Sequence, residues 1–201
     1  MSHQYAPPDV IYIIRHGEKP EDPSPRRPPA AHRGVDFHGN QNEHSLLPRG
    51  WQRSGALAAL FDPSRGPLRA GLQVPTMLIA PSYGGKDKTA QHRTHQTISG
   101  ISDRLGIAIA ADYAKGQERQ LAAALAKSGP GAVLICWEHV HIPVLASALP
   151  LVHGTAIPPT WPADRFDVIW TFTLVTNDEY IFGQVPQLLL PGDANTGIAP
   201  G

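Results

Sequence analysis

The chain has 201 residues, 41% of them hydrophobic, and Lys+Arg and Asp+Glu balance at 17 each, so the formal net charge is zero. That length buries one good core, and the balance excludes a general nucleic-acid or acidic-membrane binder while leaving room for a small basic pocket. No apolar run reaches the ~20 residues that cross a bilayer, "MSHQYAPPD" is no secretory signal, and the lone Cys136 has no disulfide partner, so a cytoplasmic enzyme or binding protein is expected.

In chain order, "VIYII" (10–14) is a β-branched and aromatic run of the kind that forms a strand covered on both faces. Residues 19–45, rich in Pro, Gly, charge and His, read as a long surface loop inserted after that strand. "SLLPRGWQRSGALAALF" (45–61) places Leu47, Trp51, Ala58 and Phe61 on a helical stripe, with Ser45 as N-cap and Pro48 in the first turn. "TMLIA" (76–80) is a second buried strand. A Gly/Lys-rich stretch follows, then a helix over 92–106 with Ile98, Ile101 and Leu105 on one face and Gly106 closing it. A short strand (107–111), a helix (118–127), a buried strand "AVLICW" (132–137) and a helix (142–149) follow.

This alternation predicts an α/β fold: a three-layer α/β/α sandwich with a mainly parallel sheet and helices on both faces. In "RFDVIWTFTLV" apolar residues alternate, and "TNDEYIFGQV" returns after an Asn-Asp turn, which predicts a C-terminal antiparallel edge hairpin. The whole of 1–201 then forms one domain, with 19–45 as an insertion. Trp51, Trp137 and Trp170 are expected in the core and Trp161 in loop packing.

Ligands of such sheets bind beyond the carboxyl ends of the parallel strands. The first strand ends in Arg15 and His16, the second leads to Arg93 at a helix start, and "AVLICW" ends in Glu138 and His139. Two arginines and two histidines from distant segments therefore converge on one edge, a pattern suited to an oxyanion. Arginine offers a planar, permanently charged fork that matches phosphate, and a neutral imidazole is a nucleophile. Other readings stand beside this one. His139 and His141, with His32, Asp36, His38, Glu43 and His44, give a metal-dependent hydrolase, although two arginines would repel a cation. A non-catalytic phosphate-binding module would not need the nucleophilic histidine. His92 and His95 read as helix-surface residues.

"RHGE" (15–18), "LLPRGWQRSG" (46–55), "RTHQT" (93–97) and "CWEH" (136–139) resemble, in this order, the motifs of the histidine phosphatase superfamily, nearest to its phosphoglycerate-mutase-like branch (branch 1). The resemblance spans about residues 10–150. It implies a phosphatase that forms a phosphohistidine on His16, with Arg15, Arg93, His139 and Gly17 around the phosphate and His139 also catalytic. It implies no cofactor, no metal, and a small phosphorylated substrate rather than nucleic acid or membrane. Mutases of the family are longer and more basic, so a hydrolase is favoured over a phosphotransferase at this length.

The chain departs from the family pattern in places. Leu47, Arg53 and Ser54 replace the usual Thr, Gln and Ala of the first helix motif, the approach to Arg93 is lengthened, and Thr94 follows it. The acid that would protonate the leaving oxygen is left among Glu18, Glu118 and Glu138. Neighbouring arginines should lower the pKa of His16, whereas His139 binds phosphate best when protonated, so activity is expected to favour mildly acidic pH. The 19–45 loop, with Arg26, Arg27 and Arg33, and the 83–91 stretch flank the pocket, and the tail hairpin offers an edge at which two copies could pair as a homodimer.

Overall fold

The computed structural model describes residues 6–20, 33–175 and 178–200. In chain order its elements are β1 (Val10–Arg15), α1 (Pro48–Phe61), β2 (Met77–Ile79), α2 (Lys86–Ala90), α3 (Arg93–Leu105), β3 (Ile109–Ala110), α4 (Glu118–Leu125), β4 (Ala132–Trp137), α5 (Ile142–Ser147), β5 (Val168–Leu174) and β6 (Tyr180–Pro186). The strands form one sheet in the order β3-β2-β4-β1-β5-β6. β3, β2, β4 and β1 run parallel, and β5 and β6 add an antiparallel hairpin beside β1.

β1 is buried at every residue because both of its faces are covered. Ile11 and Ile13 share one face with Val133, Ile135 and Trp137 and pack against Leu121 and Leu125 of α4 and Ile142 and Leu145 of α5. Val10, Tyr12 and Ile14 turn the other way, with Leu134 and Cys136, against Leu57 and Phe61 of α1 and Ile98 and Ile101 of α3. The unbroken apolar run thus serves two cores with the period of two that a strand imposes. The chain moves outward from β1 through α1 and α3 on one face, then returns through α4 to β4 and on to α5 on the other. That reversal is what right-handed crossovers require, and it completes the three layers. Among the described residues no helix is long and apolar enough to cross a membrane.

Several boundaries differ from expectation. α1 begins at Pro48 after Leu47 as N-cap, not at Ser45. Ser45 is fully buried instead, its hydroxyl donating to Gln91 O and accepting from Gln96 Nε2, because the approach to α1 is pressed against the start of α3. Trp51 is half-buried rather than core. It packs edge-on against Phe37 at 4.8 Å and donates to Val35 O, so it fastens the inserted loop to the helix. Arg53 faces inward where an apolar side chain would be ordinary. A short helix, α2, lies inside the Gly/Lys-rich stretch. Gly106 closes α3 with φ 67°, as its position predicts. Trp137, Trp170 and Trp161 are buried. Arg26, Arg27 and His32 lie outside the described residues, as does Asn177 of the expected turn. Along the outer strand, the side chain of Gln184 exchanges hydrogen bonds with the backbone of Ile198, so later chain covers part of the edge proposed for pairing.

α1 and the end of β1 approach very closely. A Cβ on Gly50 would lie 2.7 Å from Glu18 O, and one on Gly17 would lie 3.1 Å from Gly50 Cα. Gly55, on the exposed side of the same helix, has open space around it. Gly50→Ala should therefore destabilise the fold by about 1–3 kcal/mol through overpacking, while Gly55→Ala should stabilise it by about 0.5–1 kcal/mol through helix propensity. Urea unfolding of the two variants reads both signs.

Candidate active site

His16 is the first residue beyond β1. Its N–H continues the ladder to Trp137 O at 3.3 Å, and the register of Arg15 with Trp137 sets His16 level with the end of β4. The imidazole is buried, and its Nδ1 lies 2.8 Å from Gly17 O. A carbonyl only accepts, so Nδ1 carries the proton and Nε2 keeps its lone pair. Burial pushes the His16 pKa well below its ordinary value, Arg15, Arg93 and His139 push it the same way, and the Gly17 carbonyl opposes them only in part. The result is a neutral imidazole with one nitrogen presented.

Gly17 is a hub of the backbone at this edge. Its N–H donates to Thr97 Oγ1 at 2.7 Å, and the Thr97 hydroxyl donates to Arg93 O at 2.7 Å. Its missing side chain makes room for Gly50 of α1. Its one backbone donor is engaged by Thr97. What it does is join the end of β1 to the first turn of α3, and so His16 to Arg93.

Arg15 is 1% exposed. Its Nη1 donates to the carbonyls of Pro162, Ala163 and Arg165 at 3.2, 2.6 and 3.2 Å, and its guanidinium carbon lies 3.9 Å from the centroid of Phe166. The Phe166 ring is also 6.1 Å from that of His16. Burial lowers the Arg15 pKa to about 10, partly offset by Asp164, and the group keeps its charge at neutral pH. Its Nε is buried without a partner.

The segment 162–166 lies outside the carboxyl ends of the parallel strands, where the sequence places the site. An antiparallel neighbour begins where β1 ends, so the loop entering β5 arrives at the same edge. The predicted hairpin was the available signal.

Arg93 opens α3, half-buried, with Nη1 donating to Glu43 O at 2.9 Å, which ties the inserted loop to this edge. Its charge is felt at both Arg15 and His16, and that of His139 at His16. The charges of all three other residues proposed from separate segments are thus felt at His16. Beside them His92 stacks on Tyr83 at 3.5 Å and on His44 at 5.0 Å. Burial, with His44 and Arg93, lowers the His92 pKa to about 4. It is a neutral wall element rather than a surface residue.

Each carboxylate considered as an acid has at least one oxygen held by donors. Both oxygens of Glu18 accept from Arg53, and Oε1 also from Arg49. Glu118 Oε1 accepts from the Gly116 amide and the Trp137 indole, and pairs with His141 at 3.1 Å. Glu138 Oε1 accepts from Tyr83 and from Lys115 at 3.2 and 3.0 Å. Asp164, exposed on the loop before β5, is a further carboxylate whose charge reaches Arg15.

His139 and His141 serve different partners, and among the described residues no three His, Cys, Asp or Glu side chains gather as a metal site would require. Arg33 is exposed and donates to Gln41. A groove of about 770 Å³ between α4 and α5, lined by Arg119, Ala122, Pro143 and Val144, holds none of the four residues.

No family model matches the sequence, and no curated protein matches it. Solved structures do share its fold. A mycobacterial glucosyl-3-phosphoglycerate phosphatase aligns over 89% of this chain and 97% of its own, with 12% identity and a TM-score of 0.52. A protein described as mycobacterial hydrolase 1 aligns over 87% and 96%, with 13% identity and a TM-score of 0.50. At these identities the likeness is one of architecture.

The burial of His16 makes a direct prediction. Its ring nitrogens should keep the Nδ1–H pattern in ¹⁵N NMR through the pH range, centred on ~6.5, in which a solvated imidazole titrates. A His16 midpoint between ~6 and ~7 would contradict the arrangement.

Proposed function

We propose that this chain is a single-domain histidine phosphatase that hydrolyses small phosphate monoesters through a phosphohistidine on His16. The observation that carries the reading is the neutral His16, its Nδ1–H held by Gly17 O, set within the charges of Arg15, Arg93 and His139. An Nε2 lone pair opposite that fixed proton is what attack on phosphorus needs. The fold, shared with a structure described as a phosphatase, agrees with this reading.

The reaction follows in two displacements. In the first, Nε2 attacks phosphorus, the N–P bond forms, and the bond to the leaving oxygen breaks with its electron pair staying on that oxygen. In the second, a water attacks the phosphohistidine, the N–P bond breaks, and Nε2 recovers its lone pair as inorganic phosphate leaves. Charge on the three equatorial oxygens is met by Arg15, Arg93 and His139. The Nε of Arg15, buried without a partner, is satisfied by one of those oxygens. Because Nη1 is anchored to the carbonyls of 162–165, the guanidinium is already aimed and loses little freedom when it binds.

The carboxylates refine the substrate. A carboxylic O–H on Glu18 Oε1 or Oε2, on Glu118 Oε1 or on Glu138 Oε1 would point at another donor. With those oxygens engaged, leaving oxygens that depart with little proton assistance suit this site best, as in aryl phosphates.

His16→Ala should reduce hydrolysis of an aryl phosphate to background without loss of fold by circular dichroism. Arg93→Ala should lower kcat on the order of 10²-fold, the usual effect of deleting one transition-state donor. Aryl phosphates should outpace alkyl phosphates in kcat/KM, and a chelator should leave the rate unchanged. Full turnover by His16→Ala would overturn the assignment, and loss of activity with chelator restored by zinc would favour the metal-dependent reading.

A further inference from the structure

Arg53 departs from the residue usual at its place in the first helix motif, and its surroundings explain what it does. The side chain is 1% exposed. It makes a two-pronged contact with Glu18, Nε to Oε2 at 3.1 Å and Nη2 to Oε1 at 2.8 Å. It makes a second with Asp193, Nη1 to Oδ2 at 3.1 Å and Nη2 to Oδ1 at 2.8 Å. Nη1 also donates to Gln187 Oε1 at 2.8 Å. Arg49 closes the group from the solvent side, donating to Glu18 Oε1 and to Pro191 O. Two cations thus hold two carboxylates.

Burial would raise the Asp193 pKa, but hydrogen bonds from Arg53 and from the Leu190 and Leu189 amides bring it down to about 2. The turn around Asp193 is therefore fixed as well as charged.

This cluster touches the reacting group at one remove. Glu18 follows Gly17, whose carbonyl holds His16 Nδ1. The Gly17 peptide is tied on one side by its N–H to Thr97. On the other side Glu18 is tied by its carboxylate to Arg53 and by its carbonyl to the Leu47 amide at 2.9 Å. Rotation of the Gly17 carbonyl would release the imidazole, and the Glu18–Arg53 contact opposes it.

The same segment after β6 reaches the other flank. The Ala194 amide donates to Asp167 Oδ2 at 2.6 Å, and Asp167 Oδ1 accepts from Arg165 Nε at 2.7 Å. Arg165 Nη2 donates back to Thr196 O, and the Arg165 carbonyl is one of the acceptors that aim Arg15.

We infer that residues 187–198 are a brace that positions both phosphate-handling residues, acting on His16 through Asp193, Arg53 and Glu18, and on Arg15 through Asp167 and Arg165. The inference rests on the proposed role of His16 and Arg15, and Arg53, Asp193, Asp167 and Arg165 are positioning residues within it. Stability alone is a weak reason for such a cluster, since buried ion pairs are often replaceable by apolar groups at no loss. What the charged forks supply is direction: each fixes the plane of its partner.

Asp193→Asn removes one charge and keeps the shape. Measured below its melting temperature on an aryl phosphate, it should lose about tenfold in kcat while KM moves less than about threefold, as misplacement of a reacting group does. The ¹⁵N pattern of His16 should change from a single Nδ1–H form to a mixture of tautomers. Asp167→Asn, the second variant, should lower kcat by a similar factor with the His16 pattern intact, because it acts through Arg15. Folded Asp193→Asn with wild-type kcat and an unchanged His16 pattern would overturn the brace, as would Asp167→Asn with wild-type kcat. Should the wild type hydrolyse no phosphate ester, the proposed function falls, and the His16 pattern in Asp193→Asn still decides whether the brace exists.

Discussion

The hydrogen bond from His16 Nδ1 to Gly17 O is the constraint on which the rest of the site turns. A buried histidine needs partners for its polar atoms, and this bond provides one while committing the proton to Nδ1. Everything around it preserves that choice. Thr97 takes the Gly17 amide, α1 presses against the bare Cα of Gly17, and Glu18 is drawn into Arg53. A carbonyl next to the histidine in the chain thus settles which ring nitrogen can react. Burial, reinforced by the two arginines beside it, then keeps the ring from gaining a second proton.

Burying so much charge at one edge is expensive unless each group is met. Arg15 is met by three carbonyls and an aromatic face, Arg53 by two carboxylates and an amide oxygen. The difference between them matters. Arg53 is fully engaged and serves architecture, whereas Arg15 retains one buried nitrogen without a partner. Arg93, half-buried at the mouth and joined to the inserted loop through Glu43, carries its charge closer to solvent. The edge therefore holds one deeply buried cation, one nearer solvent, and a neutral imidazole between their fields.

Much of this was legible in the sequence because it depends on local pattern. The apolar run of β1, the closing Gly106 and the helix carrying Ile98 and Ile101 each announce themselves through periodicity or turn chemistry. His16, Arg15, Arg93 and His139 were legible because a parallel sheet carries all its strand ends to one edge. The segment 162–166 and the acceptor role of its carbonyls were not, since backbone oxygens leave no trace in residue identity. Arg53 stood out only as a departure from the helix motif the chain resembles, and its partners Asp193 and Gln187 lie about 130 positions or more away, beyond any local signal. Trp51 was misplaced for a related reason: a helical stripe says which side chains face the same way, not whether a loop or a sheet meets them.

In the proposed reaction Nε2 of His16, and no other atom, receives the phosphoryl group. Rapid quenching of the wild-type enzyme in base during turnover of an aryl phosphate, followed by ³¹P NMR and peptide mapping, reads it directly. The account predicts an acid-labile, base-stable phosphoryl group on the peptide containing His16, bonded to Nε2. A phosphoryl group on Nδ1 or on another residue, or steady turnover with no phosphorylated enzyme at any quench time, would contradict it.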